Sequence, residues 1–151
     1  MMYQNGQIES ALARVCRIPA ADLGAFKGKL RHLRSLGIPK VESVGSGYRV
    51  QFSRFDALTM RLALELSMFG VKPSAVAGLT GDALKHLKKH DETTGGNDVY
   101  FIVAEQPLGY LWVTADGLPG VANVAAKIAA TSFVTINISR LVREMDVALA
   151  D

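Results

Sequence analysis

The sequence predicts an α+β fold, a helical winged module followed by a small α/β segment, and three observations predict it. Apolar residues recur at helical spacing up to about residue 90. Residues 91 to 98 (DETTGGND) then hold two glycines, three acids and no apolar side chain, the composition of a linker or exposed loop. Beyond them β-branched and aromatic residues gather in short runs, as strands require. The expected organisation is a module over 1–90, a linker over 91–98, and a region over 99–151 that pairs subunits or captures a partner or ligand.

The elements follow in order. Residues 8 to 16 place Ile8, Leu12 and Val15 on one helical face. Pro19 pushes Ile18 out of the helical region and ends that helix. Asp22 is placed to cap the next helix, over 23 to 36. Its buried stripe is Phe26, Leu30, Leu33 and Leu36, with Leu23 behind them, and Lys27, Lys29, Arg31, His32 and Arg34 lie off that stripe. Gly37 fits the left-handed residue after a helix, and Pro39 prevents continuation. Residues 41 to 52 read as a hairpin, with Gly45-Ser46-Gly47 supplying its turn. Ser53 and Asp56 resemble a capping box opening a helix over 54 to 69, with Leu58, Leu62, Leu66 and Phe69 at helical spacing. Gly70 stops it. Pro73 suits the first turn of another helix running to about residue 89, with an irregularity expected near Gly78 or Gly81.

After the linker, residues 99 to 104 and 110 to 114 are expected to be strands joined near Pro107 to Gly109. Residues 121 to 130 suggest a short helix, and 132 to 138 a third strand. Ser139 is expected to cap a final helix with apolar positions Leu141, Val142, Met145 and Leu149. So small a sheet needs a cover. The last helix and the 132 to 138 strand are the first candidates for a subunit interface.

The bulk numbers narrow the setting. A chain of 151 residues, 49% hydrophobic and 21% charged, can bury a sizeable core. Its single cysteine, Cys16, forms no intrachain disulfide and is expected to act as a small hydrophobe. The opening MMYQNGQIES lacks the basic start and apolar run of a secretory signal, and no stretch approaches the roughly 18 apolar residues of a membrane span. A cytoplasmic location is therefore expected. Charge is uneven. Residues 1–90 hold fourteen Lys/Arg against six Asp/Glu, a surplus of eight; residues 91–151 hold three against eight, a deficit of five. A basic half suggests a polyanionic partner.

The order helix, turn, basic helix, hairpin, helix, glycine turn, helix points to a helix-turn-helix with a wing. A major groove admits one α-helix, and the buried stripe would hold that helix on the core with its basic side outward. The stretch LRHLRSLGIP…GSGYRVQFSRFDALTMRLALELSMFGVKPSAVAGL resembles the DNA-binding domain of the MerR-type family of regulators. The resemblance covers about residues 7 to 85. It places Arg31 at the family's recognition-helix arginine, Gly47, Tyr48 and Arg49 in its wing motif, and Gly70 and Val71 in the turn between paired helices. His32 and Leu33 stand where the family has two aromatics, and the family's long dimerisation helix does not follow. The resemblance implies a sequence-specific DNA-binding regulator, a homodimer on double-stranded DNA at an inverted repeat. Lys27, Arg31, His32 and Arg34 are the candidates for base edges. Lys29, Lys40, Ser46, Arg49 and Arg54 are the candidates for phosphates, with Tyr48 packing in the wing.

Other readings stay open: an excisionase-like protein that bends DNA, an antirepressor-type protein-interaction module, or a small-ligand sensor built on Tyr100, Phe101, Tyr110 and Trp112. His86 and His90 share a helix face beside Asp91 and Glu92, but Lys85, Lys88 and Lys89 disfavour a metal there. Thr93-Thr94-Gly95-Gly96 lacks the lysine of a phosphate loop. No nucleophile, base and acid set is discernible. No metal, cofactor or enzymatic chemistry is expected.

Overall fold

A computed structural model describes residues 1–40, 50–90, 98–104, 109–115, 120–122, 126 and 133–151, apart from the side chains of 84, 87–90 and 109–115. It is mixed α+β. The elements are β1 (Met2–Gln4), α1 (Asn5–Val15), a 3-10 turn (Ala20–Asp22), α2 (Leu23–Ser35), β2 (Gln51–Ser53), α3 (Arg54–Met68), α4 (Pro73–His90), β3 (Asp98–Ala104), β4 (Gly109–Ala115), β5 (Phe133–Asn137) and α5 (Ile138–Ala150).

The helices form where the apolar spacing places them. Ile8 and Leu12 of α1 and Phe26, Leu30 and Leu33 of α2 are buried. Helix α3 is the axis of the molecule, buried almost all round from Ala57 to Leu64. Ser53 and Asp56 cap it reciprocally: the Ser53 amide donates to Asp56 Oδ2 at 2.7 Å, and the Asp56 amide donates to Ser53 Oγ at 3.2 Å. Phe69 departs from expectation. It follows the last helical residue and is 57% exposed, because the chain turns away there. Helix α4 packs on α3 through Val76, Leu79 and Ala83, and it runs without a break past Gly78 and Gly81.

Three helices end the same way. The first residue past the cap is left-handed, its amide and the next one turning back to carbonyls of the last turn. After α2 the Gly37 amide donates to Arg34 O (2.9 Å) and Ile38 to Leu33 O (3.0 Å). After α3 Gly70 donates to Ser67 O (3.2 Å) and Val71 to Leu66 O (3.1 Å). Both glycines have positive φ, as the sequence predicts for Gly37. After α1 the residue is Arg17, at φ 53°, donating to Arg14 O (3.0 Å) while Ile18 donates to Ala13 O (2.9 Å). A side chain in that conformation costs about 1 to 2 kcal/mol.

Asp22 does not cap α2 with its side chain. It lies in a 3-10 turn with helical backbone angles, from which its carboxylate makes no capping bond. Ser139 does not cap α5 either. Asn137 does, accepting from the Arg140 amide at 2.8 Å, while Ser139 Oγ accepts from the Val99 amide at 2.9 Å.

Strand β1 pairs antiparallel with β2, Tyr3 facing Phe52. The second sheet has the order β4-β3-β5, antiparallel throughout, with Ile102 facing Leu111 on one side and Thr135 on the other. Side chains alternate across a strand, and Phe101, Val103 and Ile136 join the same buried cluster as Leu12, Leu30 and Leu62. Helix α5 completes it, packing Leu141, Met145 and Ala148 against α1, α3 and β3. The apolar stripe expected to serve subunit pairing is thus used within the chain. Most of the hairpin expected over 41 to 52, all but the last residue of the linker expected over 91 to 98, and most of the short helix expected over 121 to 130 lie outside the described residues.

Candidate functional site

Helix α2 has one face committed to the core and one that is largely exposed. With 100° per residue, Phe26, Leu30 and Leu33 define the inner side. Gly24, Gly28 and Ser35 fall opposite, flanked by Arg31 and His32. Lys27, Lys29, Arg31 and His32 are all exposed, and among the described residues none has an acidic partner. Arg31 Nε leans along its own helix toward Lys27 O at 3.4 Å. The result is a cationic ridge with a narrow crest, since a Cβ built on Gly24 or Gly28 meets nothing within 4 Å. Glycine inside a helix costs up to about 1 kcal/mol relative to alanine, and among the described residues nothing requires it here. Alanine would fit both sites internally. The Gly24 and Gly28 spacing was readable in the sequence, but its openness was not.

Two of the expected contact residues are engaged elsewhere. Arg34 Nη2 pairs with Glu9 Oε1 at 2.8 Å, and Nη1 donates to Asn5 Oδ1. Asn5 Nδ2 in turn donates to Glu9 Oε1 at 2.9 Å. The side chains of Arg34 and Glu9 are only 24% and 14% exposed. Arg34 therefore bolts α2 to α1, fixing the angle at which the ridge is presented. Arg54 binds Asp146 in bidentate fashion, at 2.6 and 2.8 Å, and lies 5.5 Å from the Phe55 ring. It ties the start of α3 to α5. Both arginines carry a structural job that their sequence positions do not disclose.

Lys40 is exposed at the rim of a cleft of about 580 Å³, lined also by Asn5, Gly6, Arg34, Pro39 and Phe52. Ser46, Tyr48 and Arg49, the wing residues, lie outside the described residues. Arg17, not singled out by sequence, stands exposed in the turn between α1 and α2. Cys16 beside it is half-buried, and burial pushes its thiol pKa up, the nearby Arg61 opposing this. The protonated thiol is a weak nucleophile.

Among the described residues, no group of three His, Cys, Asp or Glu side chains is placed to hold a metal. His86 is exposed on α4, and the His90 side chain lies outside the described residues. Tyr100 and Phe101 are buried in β3, and the Tyr110 and Trp112 side chains are outside the described residues. No helix among the described residues is long and apolar enough to cross a membrane. No protein-family model matches the chain, and no curated protein matches it significantly.

Proposed function

We propose that this chain is a sequence-specific DNA-binding regulator that presents α2 to the major groove, a dimer on an inverted repeat. One observation carries the reading: α2 holds an exposed cationic flank, with no acidic partner among the described residues, on a helix whose opposite side is fixed in the core. The MerR-type resemblance and the basic surplus of residues 1–90 support it.

Lys27, Arg31 and His32 reach for base edges. An arginine paired bidentately with guanine discriminates by about 1–3 kcal/mol. Lys29 and Lys40 contact phosphates, as do Ser46 and Arg49 of the wing, with Tyr48 packing beside them. Arg34 and Arg54 serve indirectly, by holding α2 and α3 in place. Each phosphate contact releases counterions, so affinity falls steeply with salt.

The test is selection from a random duplex library at moderate salt, with Arg31→Ala alongside. The expected result is a palindromic site that the variant fails to select while remaining folded. Absence of enrichment, together with no affinity for any duplex at low salt, refutes the reading.

A further inference from the structure

Three helix ends in this chain share one backbone design, and the residue in the left-handed position is glycine twice and arginine once. Arg17 breaks the rule in the turn that delivers α2. A residue held in a conformation it disfavours points to a use for its side chain. Among the described residues the surroundings supply no internal one. Arg17 lies beside the C-terminal part of α5, where Arg14, Arg143 and the acids Glu144 and Asp151 also gather. Those acids are taken: Asp151 pairs with Arg14 at 3.3 Å, and Glu144 with Arg140 at 2.8 Å. Arg143 pairs with Asp98 at 3.1 Å. Among the described residues the Arg17 guanidinium alone in this group has no acid or carbonyl at bonding distance.

We propose that Arg17 is a phosphate anchor, a guanidinium that grips the DNA backbone beside α2 and sets the depth at which the ridge enters the groove. This rests on the DNA-binding reading above. The bland alternative is that the cation merely sits well at the carboxyl end of α1, where the helix dipole favours it. The two differ in what they move. A dipole role changes stability and leaves DNA binding alone. A phosphate role changes binding to every sequence by a similar factor, because phosphates carry no sequence information.

Arg17→Gly separates them, since glycine suits the left-handed position and keeps the fold. Two labelled duplexes serve as probes, one of random sequence and one enriched by selection, titrated by fluorescence anisotropy across a salt series. Arg17→Gly is expected to melt higher than the parent. It should bind both duplexes several-fold more weakly, with a log–log salt dependence shallower by about one. Arg17→Lys should keep the parental slope. A parental slope in Arg17→Gly overturns the anchor while leaving the DNA reading intact. A parent protein that binds neither duplex overturns both.

Discussion

Replacing Gly28 by alanine should make the protein more stable and a poorer DNA binder at once. Gly28 lies in the interior of α2, and a Cβ there has nothing within 4 Å. The change should therefore gain the intrinsic helix preference of alanine, about 0.8–1 kcal/mol, with no clash to offset it. For a domain of this size that corresponds to a rise in Tm of roughly 2–4 °C. The same crest is the part of α2 proposed to approach the duplex most closely, so the added methyl should hold the helix off and weaken binding. Gly78→Ala is the control. It too lies on a continuous helix with nothing within 4 Å of an added Cβ, so it should stabilise by a similar amount and leave DNA affinity unchanged. Thermal melts by circular dichroism and anisotropy titrations read both quantities. A higher Tm with parental affinity in Gly28→Ala would show that nothing outside the chain comes close to that crest. A lower Tm would show the packing argument to be mistaken.

Removing Arg34 should destabilise by about 1.5–3 kcal/mol, the usual range for a hydrogen bond to a charged group whose partner is left partly buried. Glu9→Ala should cost a similar amount, and the double variant clearly less than the sum; additive losses in urea melts would refute the tie. Asp98 concerns pH. The Asn137 amide and the Arg143 guanidinium hold its carboxyl below the ordinary carboxylate range. A depressed folded-state pKa adds stability that is fully present above the unfolded value, near 3.9, and is lost as pH falls through the folded value. Asp98→Asn should therefore flatten the acid limb of the urea midpoint against pH, and an unchanged limb would show the contact to be inert.

Much of the architecture was legible because it is local. Ser53 with Asp56, Gly37, Gly70 and Pro73 each do what near neighbours dictate, and β3, β4 and β5 follow from runs of β-branched and aromatic residues. The failures have physical reasons. β1 is three residues long and exists only because β2 lies beside it, some fifty positions on. Asp22 and Ser139 are good cap residues whose jobs went to backbone geometry and to Asn137. Phe69 keeps helical spacing but falls where the helix has ended. In the candidate site, periodicity found the outward side of α2, yet it had no means of distinguishing Arg31, which has no acidic partner among the described residues, from Arg34. Their difference is set by Glu9, twenty-five positions from Arg34. Arg54 depends likewise on Asp146, ninety-two positions away.

The packing of α5 on α1 joins distant parts of the chain, and it sets an order of events during synthesis. Arg14 donates to the carbonyl of Ala148, 134 residues later, and Met145 and Ala148 share the cluster that contains Leu12. While a ribosome is still making the sheet, α1 has left the exit tunnel but lacks the surface it rests on. Contacts of such long range are slow to form, and a nascent chain exposes apolar surface in the interval. The surface on which α1 packs is therefore complete only once residues 141–148 have been made.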